Sequence, residues 1–503
     1  MALDASSLER IRPYVSNLDR RVFAITGLPE EVIAVLLAYY SRSRDDLRTN
    51  LARLLDDDSL ALNATGAAMP RSVASAEDKA RAFHEKWVVG YGHSSVAEHA
   101  VVHLAVEDVS IVASKVIEDL RLGSYTEKST RYVVFDTGSF ADLPSLPDDV
   151  RAPYRETCAN LFATYLELFP IVQHGLRELV PQDPTLTPKA RENVLRSHTC
   201  DLLRGLLPAS TRTNLGITAN ARALGMLISK MLSFPLGEVR ALGLQMREEA
   251  RSVAPTLLRY ADQNDYRASL RDQISHAAPI VAARHTPAPA APTVRVVHHD
   301  PDALERIVLA LTYDGATADA AGVRDAIGSM SREARLAIVA AAMSKRGTYD
   351  PPPRAFEAAS VSVEMDLDYG AYRDLQRHRM VSPATQLLGC SLGAQVPDEL
   401  EQLGVGARYR EALDRAQHTW ELLHSTLPFE AQYVVPLAYR VRTLWTLDLR
   451  EVFHVVELRS GKQGHASYRR IAQQMYRAVC EVHPWLAPLI RVDLNEYRVA
   501  RSG

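Results

Sequence analysis

The chain has 503 residues, 47% apolar and 24% charged, an ordinary balance for burying cores; at about 100–200 residues per domain, two to four domains are expected. A formal net charge of -3 supplies no global basic field, so neither nucleic acid nor an anionic membrane surface is expected as a partner. No uninterrupted apolar stretch reaches the roughly 20 residues that span a bilayer. Met1–Val15 lacks a cationic start followed by an apolar core, so a cytoplasmic location is expected. The four cysteines, Cys158, Cys200, Cys390 and Cys480, lie far apart with no C-x-x-C pair. That spacing fits a reducing compartment and builds no disulfide framework or metal site. His198 and Cys200 lack the second ligand pair that a zinc site needs and are taken as structural.

In chain order, Gly27-Leu-Pro-Glu-Glu begins an apolar helix that runs to Tyr40. Residues 100–107 are valine-rich and partly alternating, a strand pattern. Thr187-Pro188 opens a helix carrying Leu195, Leu202 and Leu206. Dense Pro and Ala after residue 277 read as a semi-rigid linker, dividing the chain into a first domain 1–276, a linker 277–296 and a second domain 297–503. Asp300 and Pro301 suit the N-cap and first position of a new helix. Residues 359–366 alternate with period two and place Val361, Val363 and Met365 on one strand face. The prevalence of Leu, Ala, Arg and Glu leans the whole towards helix.

The two strands belong to an internal repeat. Glu98-His99, strand, helix and Arg121-Leu-Gly-Ser124 correspond to Glu357-Ala358, strand, helix and Arg379-Met-Val-Ser382. Further on, Asn220-Ala-Arg222 corresponds to Asp448-Leu-Arg450. The repeat is too long for a solenoid, so a duplicated domain is expected.

Two segments concentrate chemistry. Arg377-His378-Arg379 with Ser382 offers forked guanidinium donors and a hydroxyl suited to phosphate, or else a solvated basic turn. The first-half counterpart, running from Arg121 through Ser124, Glu127 and Ser129 to Arg131, is a polar run suited to a sugar phosphate. Ser124 and Glu127 also have capping-box spacing, so a helix start is the alternative.

These segments together resemble the Arg-His-Arg-x-x-Ser-x-Asn-x-x-Ser-x-Arg signature of the flavin-dependent thymidylate synthases. The second half keeps the front (Arg377, His378, Arg379, Ser382) and the first half the back (Ser124, Glu127, Ser129, Arg131), with Thr126 where the family has Asn. His93-Ser-Ser-Val-Ala-Glu98-His99 is similar to a flavin-proximal segment, and Arg204-Gly-Leu-Leu-Pro208 to an element contributing a nucleotide-binding arginine. The Asn220-Ala-Arg222 helix is similar to a flavin-contacting one. The family's uracil-polarising arginine lies eleven positions beyond that Asn, a spacing that returns to nearly the same helix face at about 100° per residue. Arg459 stands there after Asp448, with His454 between them; after Asn220 the place is Met231, beside Lys230, which is expected to reach into water. Asp374 replaces a family Gln, Gln432 stands where the first half has Arg204, and Pro352 and Ala358 stand in place of His93 and His99.

The resemblance implies an α+β, helix-rich chain: two fused copies of a fold in which helices pack on a small, mainly antiparallel sheet. It implies FAD as cofactor, NADPH and methylene-tetrahydrofolate as co-substrates, and methylation of deoxyuridylate to thymidylate without an enzymic cysteine. Arg459 would act on the uracil edge. Arg377, His378, Arg379, His93, Asn220, Arg222, Arg450 and His454 would hold cofactor, and Ser382, Glu127, Ser129, Arg131 and Arg204 substrate. Because each half lacks what the other retains, the expectation is a homodimer forming a pseudo-tetramer whose hybrid sites join the second half's arginines to the first half's loop. The alternatives are a diverged flavoenzyme on another pyrimidine nucleotide and a non-catalytic flavin- or nucleotide-binding homologue.

Overall fold

The computed structural model describes residues 3–40, 43–56, 94–182, 184–281 and 289–497. The described residues are mainly helical, with two small sheets of strand order β1-β3-β2 and β4-β5-β7-β6. The strands are β1 (Val101–Ser110), β2 (Gly123–Glu127), β3 (Arg212–Asn220), β4 (Thr293–His299), β5 (Ser360–Asp368), β6 (Ser382–Thr385) and β7 (Arg440–Asp448). The order β1-β3-β2 recurs as β5-β7-β6, and each copy carries helices in matching places. One follows its first strand (Ile111–Ile117, Tyr369–Leu375) and another its last (Ala221–Leu232, Leu449–Arg459). The fold is therefore α+β and duplicated.

Local chemistry explains the repeated joints. Asn220 and Asp448 each accept the backbone N–H three residues ahead at 2.8 Å, capping the helices that leave β3 and β7. Behind these caps Arg222 pairs with Glu98 and Arg450 with Glu357, the same bond in both copies. The period-two reading of β5 holds: Val361, Val363 and Met365 are fully buried. Thr187 caps Pro188–Leu203 with Pro188 in the first turn.

Several sequence expectations change. Ser124 and Glu127 sit in strand β2 in register with Thr218 and Leu215, so the capping-box alternative falls; pairing with β3 overrides the local helix signal. Asp300 is not a helix cap, because its carboxylate accepts instead from the N–H and hydroxyl of Ser360; the helix begins at Ala303. Helix continues to Val281, and the alternating β-branched run Thr293-Val-Arg-Val-Val already forms β4, antiparallel to β5. Lys230 is ion-paired to Asp119 rather than simply solvated.

The chain divides into two compact units that cut across the sequence halves: 1–108, 116–127 and 213–283 form one, and 109–115, 128–212 and 284–503 the other. In the first unit, the helices Ala5–Ile11, Glu30–Tyr40 and Leu47–Asp56 share a core of Ile11, Val32, Leu36 and Leu51. No described helix is long and apolar enough to cross a membrane.

The second unit takes its form from a pairing of equivalents. The long helix Asp148–Leu179 packs on Gly406–His424, with Thr157 and Thr419 hydroxyls 2.7 Å apart. Arg204-Gly-Leu-Leu-Pro208 then runs antiparallel to Gln432-Tyr-Val-Val-Pro436. Ala209 and Ser210 N–H donate to Val435 and Tyr433 carbonyls, and Leu437 and Ala438 N–H donate to Leu207 and Gly205 carbonyls, at 2.8–3.0 Å. Pro208 and Pro436, equivalent positions of the repeat, face each other at the centre. The arrangement is that of a two-fold interface within one chain.

Gly205 is required by this pairing: a Cβ there would overlap the hydroxyl of fully buried Tyr409 and lie 3.0 Å from the Ala438 Cβ. Gly205→Ala should cost about 1–3 kcal/mol in urea unfolding, whereas Gly216→Ala, which meets nothing within 4 Å, should stay within about 0.5 kcal/mol of the parent. Equal midpoints for the two variants would contradict the close approach.

Candidate functional site

Four capped helix starts in the second unit converge their side chains. The Tyr369–Leu375 helix, capped by Asp368, presents Asp374 and leads into the Arg377-His378-Arg379 turn. The Leu449–Arg459 helix presents Glu451, His454 and Arg459. Pro188–Leu203 presents Asp201 and ends on Arg204. Ala466–Val482, capped by His465, presents Tyr468 and Arg469. Arg131 arrives from the segment following β2.

Arg131 makes a two-pronged bond to Asp201, 2.7 and 2.8 Å, and donates to the Tyr468 hydroxyl at 3.2 Å. Both members of the pair are less than a tenth exposed. Burial raises the Asp201 carboxyl, but the bonds from Arg131 more than offset it and hold the group down at about 2. The Tyr468 ring lies 5.8 Å from the Arg131 guanidinium and 5.6 Å from that of Arg459, so it touches an arginine from each copy. Arg204 donates to Asp374 at 3.1 Å. Burial likewise opposes ionisation of Asp374, while Arg204, Arg131 and Arg377 outweigh it and lower its pKa. Arg459 also feels Asp374, which partly counters the cost of its burial. Four guanidinium groups thus surround two carboxylates, leaving an excess of positive charge.

Arg459 is held from behind. Its Nε–H donates to His378 Nε2 at 2.9 Å, and His378 Nδ1 lies 2.9 Å from Glu451. Accepting at Nε2 places the imidazole proton on Nδ1, directed at the carboxylate. Burial, with Arg459 beside it, pulls His378 down to about 4 despite Glu451, so the ring is neutral at pH 7. His454 completes the group, its Nδ1 3.2 Å from Glu451 and its ring edge-on to His378 at 4.7 Å. The ligand atoms of His378, Glu451 and His454 lie within 4.8 Å of one another, a spacing open to a divalent ion. A metal on His378 Nδ1 would move the proton to Nε2 and break the bond from Arg459, so the trio is better matched to holding that arginine.

Arg131, Arg204, Arg377, His378 and Arg459 come together here. Arg379 and Ser382 are exposed beside them, and Ser129 accepts from the Arg131 N–H. Arg450 and His454 lie on the Arg459 helix. Glu127, Asn220 and Arg222 belong to the first unit. His93 lies outside the described residues. Gln432 serves the fold, bonding the Leu388 N–H and the Phe429 carbonyl. Sequence reasoning missed Asp201, Glu451, His465 and Tyr468. Asp201 stands one turn before Arg204, and Glu451 three after Asp448, where it reads as a capping partner. The cysteines take no part: burial pushes Cys158 up to about 12 and Cys200 to about 11.

Two measurements probe this cluster. Arg131→Met should lose about 3–5 kcal/mol by leaving Asp201 uncompensated, and Arg131→Met with Asp201→Leu should recover most of it. Equal losses in the single and double variants would mean the pair is not isolated from solvent as described. His378, below its ordinary 6.5 when folded, contributes stability that is complete above pH 6.5 and is lost as pH falls towards 4. The amount is roughly 3 kcal/mol. His378→Gln should flatten that part of the pH profile in chemical denaturation; an unchanged slope would refute a neutral buried ring.

The family model described as thymidylate synthase complementing protein matches residues 36–256 and 295–485, one match on each side of the Pro/Ala-rich stretch. Proteins named UPF0159 protein from Chlamydia muridarum and Thermoplasma acidophilum are 35% and 30% identical to this chain, over 98% and 83% of it and 96% and 90% of their own lengths. A flavin-dependent thymidylate synthase of Thermococcus kodakarensis is 29% identical over 34% of this chain and 63% of its own. With the strand order, the caps and the cap-side ion pairs present twice, the chain belongs to the thymidylate synthase complementing protein family, that of the flavin-dependent thymidylate synthases, as a tandem pair of diverged copies.

Proposed function

We propose that this protein is a cytoplasmic flavin-dependent thymidylate synthase, methylating deoxyuridylate with methylene-tetrahydrofolate and NADPH at a hybrid site formed by the two copies. The observation that carries this reading is the gathering of Arg131 and Arg204 from the first copy with Arg377, His378 and Arg459 from the second around Asp374. An excess of guanidinium charge at a partly buried carboxylate suits a nucleotide phosphate. Arg459, fixed by His378 and Glu451, is preorganised to stabilise negative charge developing on a uracil edge. Ser129 and Ser382 supply hydroxyl donors. The exposed side chains of Arg377 and Arg379 and the half-open face of His454 fit a flavin pyrophosphate and ring in chemistry; Arg450 is a further candidate contact. FAD, when bound, would carry reducing equivalents from NADPH to the transferred carbon. Two chains would assemble as a pseudo-tetramer.

A second reading has an observation of its own. Arg131 and Arg204 are already matched by Asp201 and Asp374, so a phosphate must share or displace a carboxylate. That favours a diverged flavin-binding relative whose substrate is not held by a phosphate at these two arginines.

Complementation of a thymidine-requiring bacterial strain decides between them. Rescue is expected from the parent chain and should be lost in Arg459→Lys, with turnover down about 100-fold and FAD uptake unchanged. FAD uptake and NADPH bleaching without rescue would select the second reading. A protein that takes up neither FAD nor deoxyuridylate would overturn both.

A further inference from the structure

Beside the arginine cluster, within the second unit, lies a cavity of about 400 Å³. Arg204 lines it, but Arg131, Arg377, His378 and Arg459 do not. Its apolar wall includes Leu176, Val180 and Leu437. The notable member is Arg469, which is only 4% exposed. One of its nitrogens donates to the Tyr497 carbonyl, and the guanidinium lies 5.1 Å from the Tyr497 ring. Its Nε and one terminal nitrogen have no hydrogen-bond partner, and no described carboxylate stands within ion-pairing distance. Arg204, also 4% exposed, likewise keeps one terminal nitrogen without a partner.

Buried guanidinium groups are retained in proteins when an anion compensates them. The acids nearby leave these nitrogens unbonded: Asp493 is the carboxylate whose charge acts on Arg469 but it makes no hydrogen bond to it, and Asp374 bonds the other terminal nitrogen of Arg204. Asp201 commits both oxygens to Arg131, and Asp368 is occupied by the Ser467 hydroxyl and the Ala371 N–H. Asp398 and Glu496 are exposed, and Glu399 is half-buried. A carboxylate ligand would match one guanidinium fork, whereas three unpartnered nitrogens on two guanidinium groups suit the several oxygens of a phosphate. Gly370 keeps the floor open: a Cβ there would press on Arg204 Nε at 3.2 Å.

We infer that this cavity is a second anion site, in which Arg469 and Arg204 bind the phosphate of a small ligand whose organic part rests on the leucine wall. It shares Arg204 with the proposed nucleotide site but stands on Arg469. Full-length protein is titrated with inorganic phosphate against sodium chloride of equal ionic strength, following melting temperature and heat. The parent should be stabilised by phosphate, and Arg469→Met should bind at least tenfold more weakly. Equal phosphate responses in the parent and Arg469→Met, or no response in either, would overturn the site. Phosphate binding kept in Arg469→Met but lost in Arg377→Met would place the anion in the nucleotide site and refute this second one. Should Arg469→Met not fold, a phosphate-soaked crystal of the parent decides: density within hydrogen-bond reach of Arg469 Nε supports the site, and phosphate bound only elsewhere rejects it.

Discussion

The antiparallel run of residues 205–210 against 433–438 is the constraint on which the second unit depends. Its hydrogen bonds are backbone to backbone, so they fix position without regard to side chains. Once Pro208 and Pro436 face each other, the helices on either side of them are fixed in place. Arg204 is then brought to Asp374, and Asp201, one turn earlier, to the place where Arg131 can reach it. The compact unit consequently draws 128–212 away from the rest of the first copy.

Around this frame the charges are arranged in two shells. Asp201 and Asp374 hold Arg131 and Arg204 in fixed orientations, and Tyr468 lies against arginines of both origins. On the other side, a neutral imidazole separates Glu451 from Arg459, so the carboxylate orients the guanidinium without neutralising it by direct contact. The two copies treat corresponding places differently: in the first, Met231 stands fully buried at the place of Arg459 and its neighbour Lys230 pairs with Asp119, while in the second Arg459 reaches a buried histidine.

Much of the fold was legible in the sequence because its signals are local. The period-two run ending at Met365 and the Thr187-Pro188 helix start appear where short-range chemistry puts them. The duplication was legible because Asn220-Ala-Arg222 and Asp448-Leu-Arg450 do the same capping and pairing twice. What failed were signals with a tertiary competitor: Asp300 prefers Ser360 to a cap, and Ser124 to Glu127 pair with β3. At the candidate site, Arg131, Arg204 and Arg459 could be proposed from the family resemblance. Which carboxylate or imidazole each would pair with could not be read, because Asp201 is 70 residues from Arg131 and Asp374 170 from Arg204, with no periodicity linking them.

The facing prolines carry a genetic consequence. In a symmetric homodimer, one codon sets both sides of the axis, so any change there is made twice and must suit its own mirror image. Here the two sides are separate codons of one gene. Arg204 and Gln432, at equivalent places on either side of Pro208 and Pro436, have taken different side chains and different partners, Asp374 for one and the Leu388 backbone for the other. Carried by two codons, the contact need not be self-complementary and is free to place charge on one flank and a neutral amide on the other.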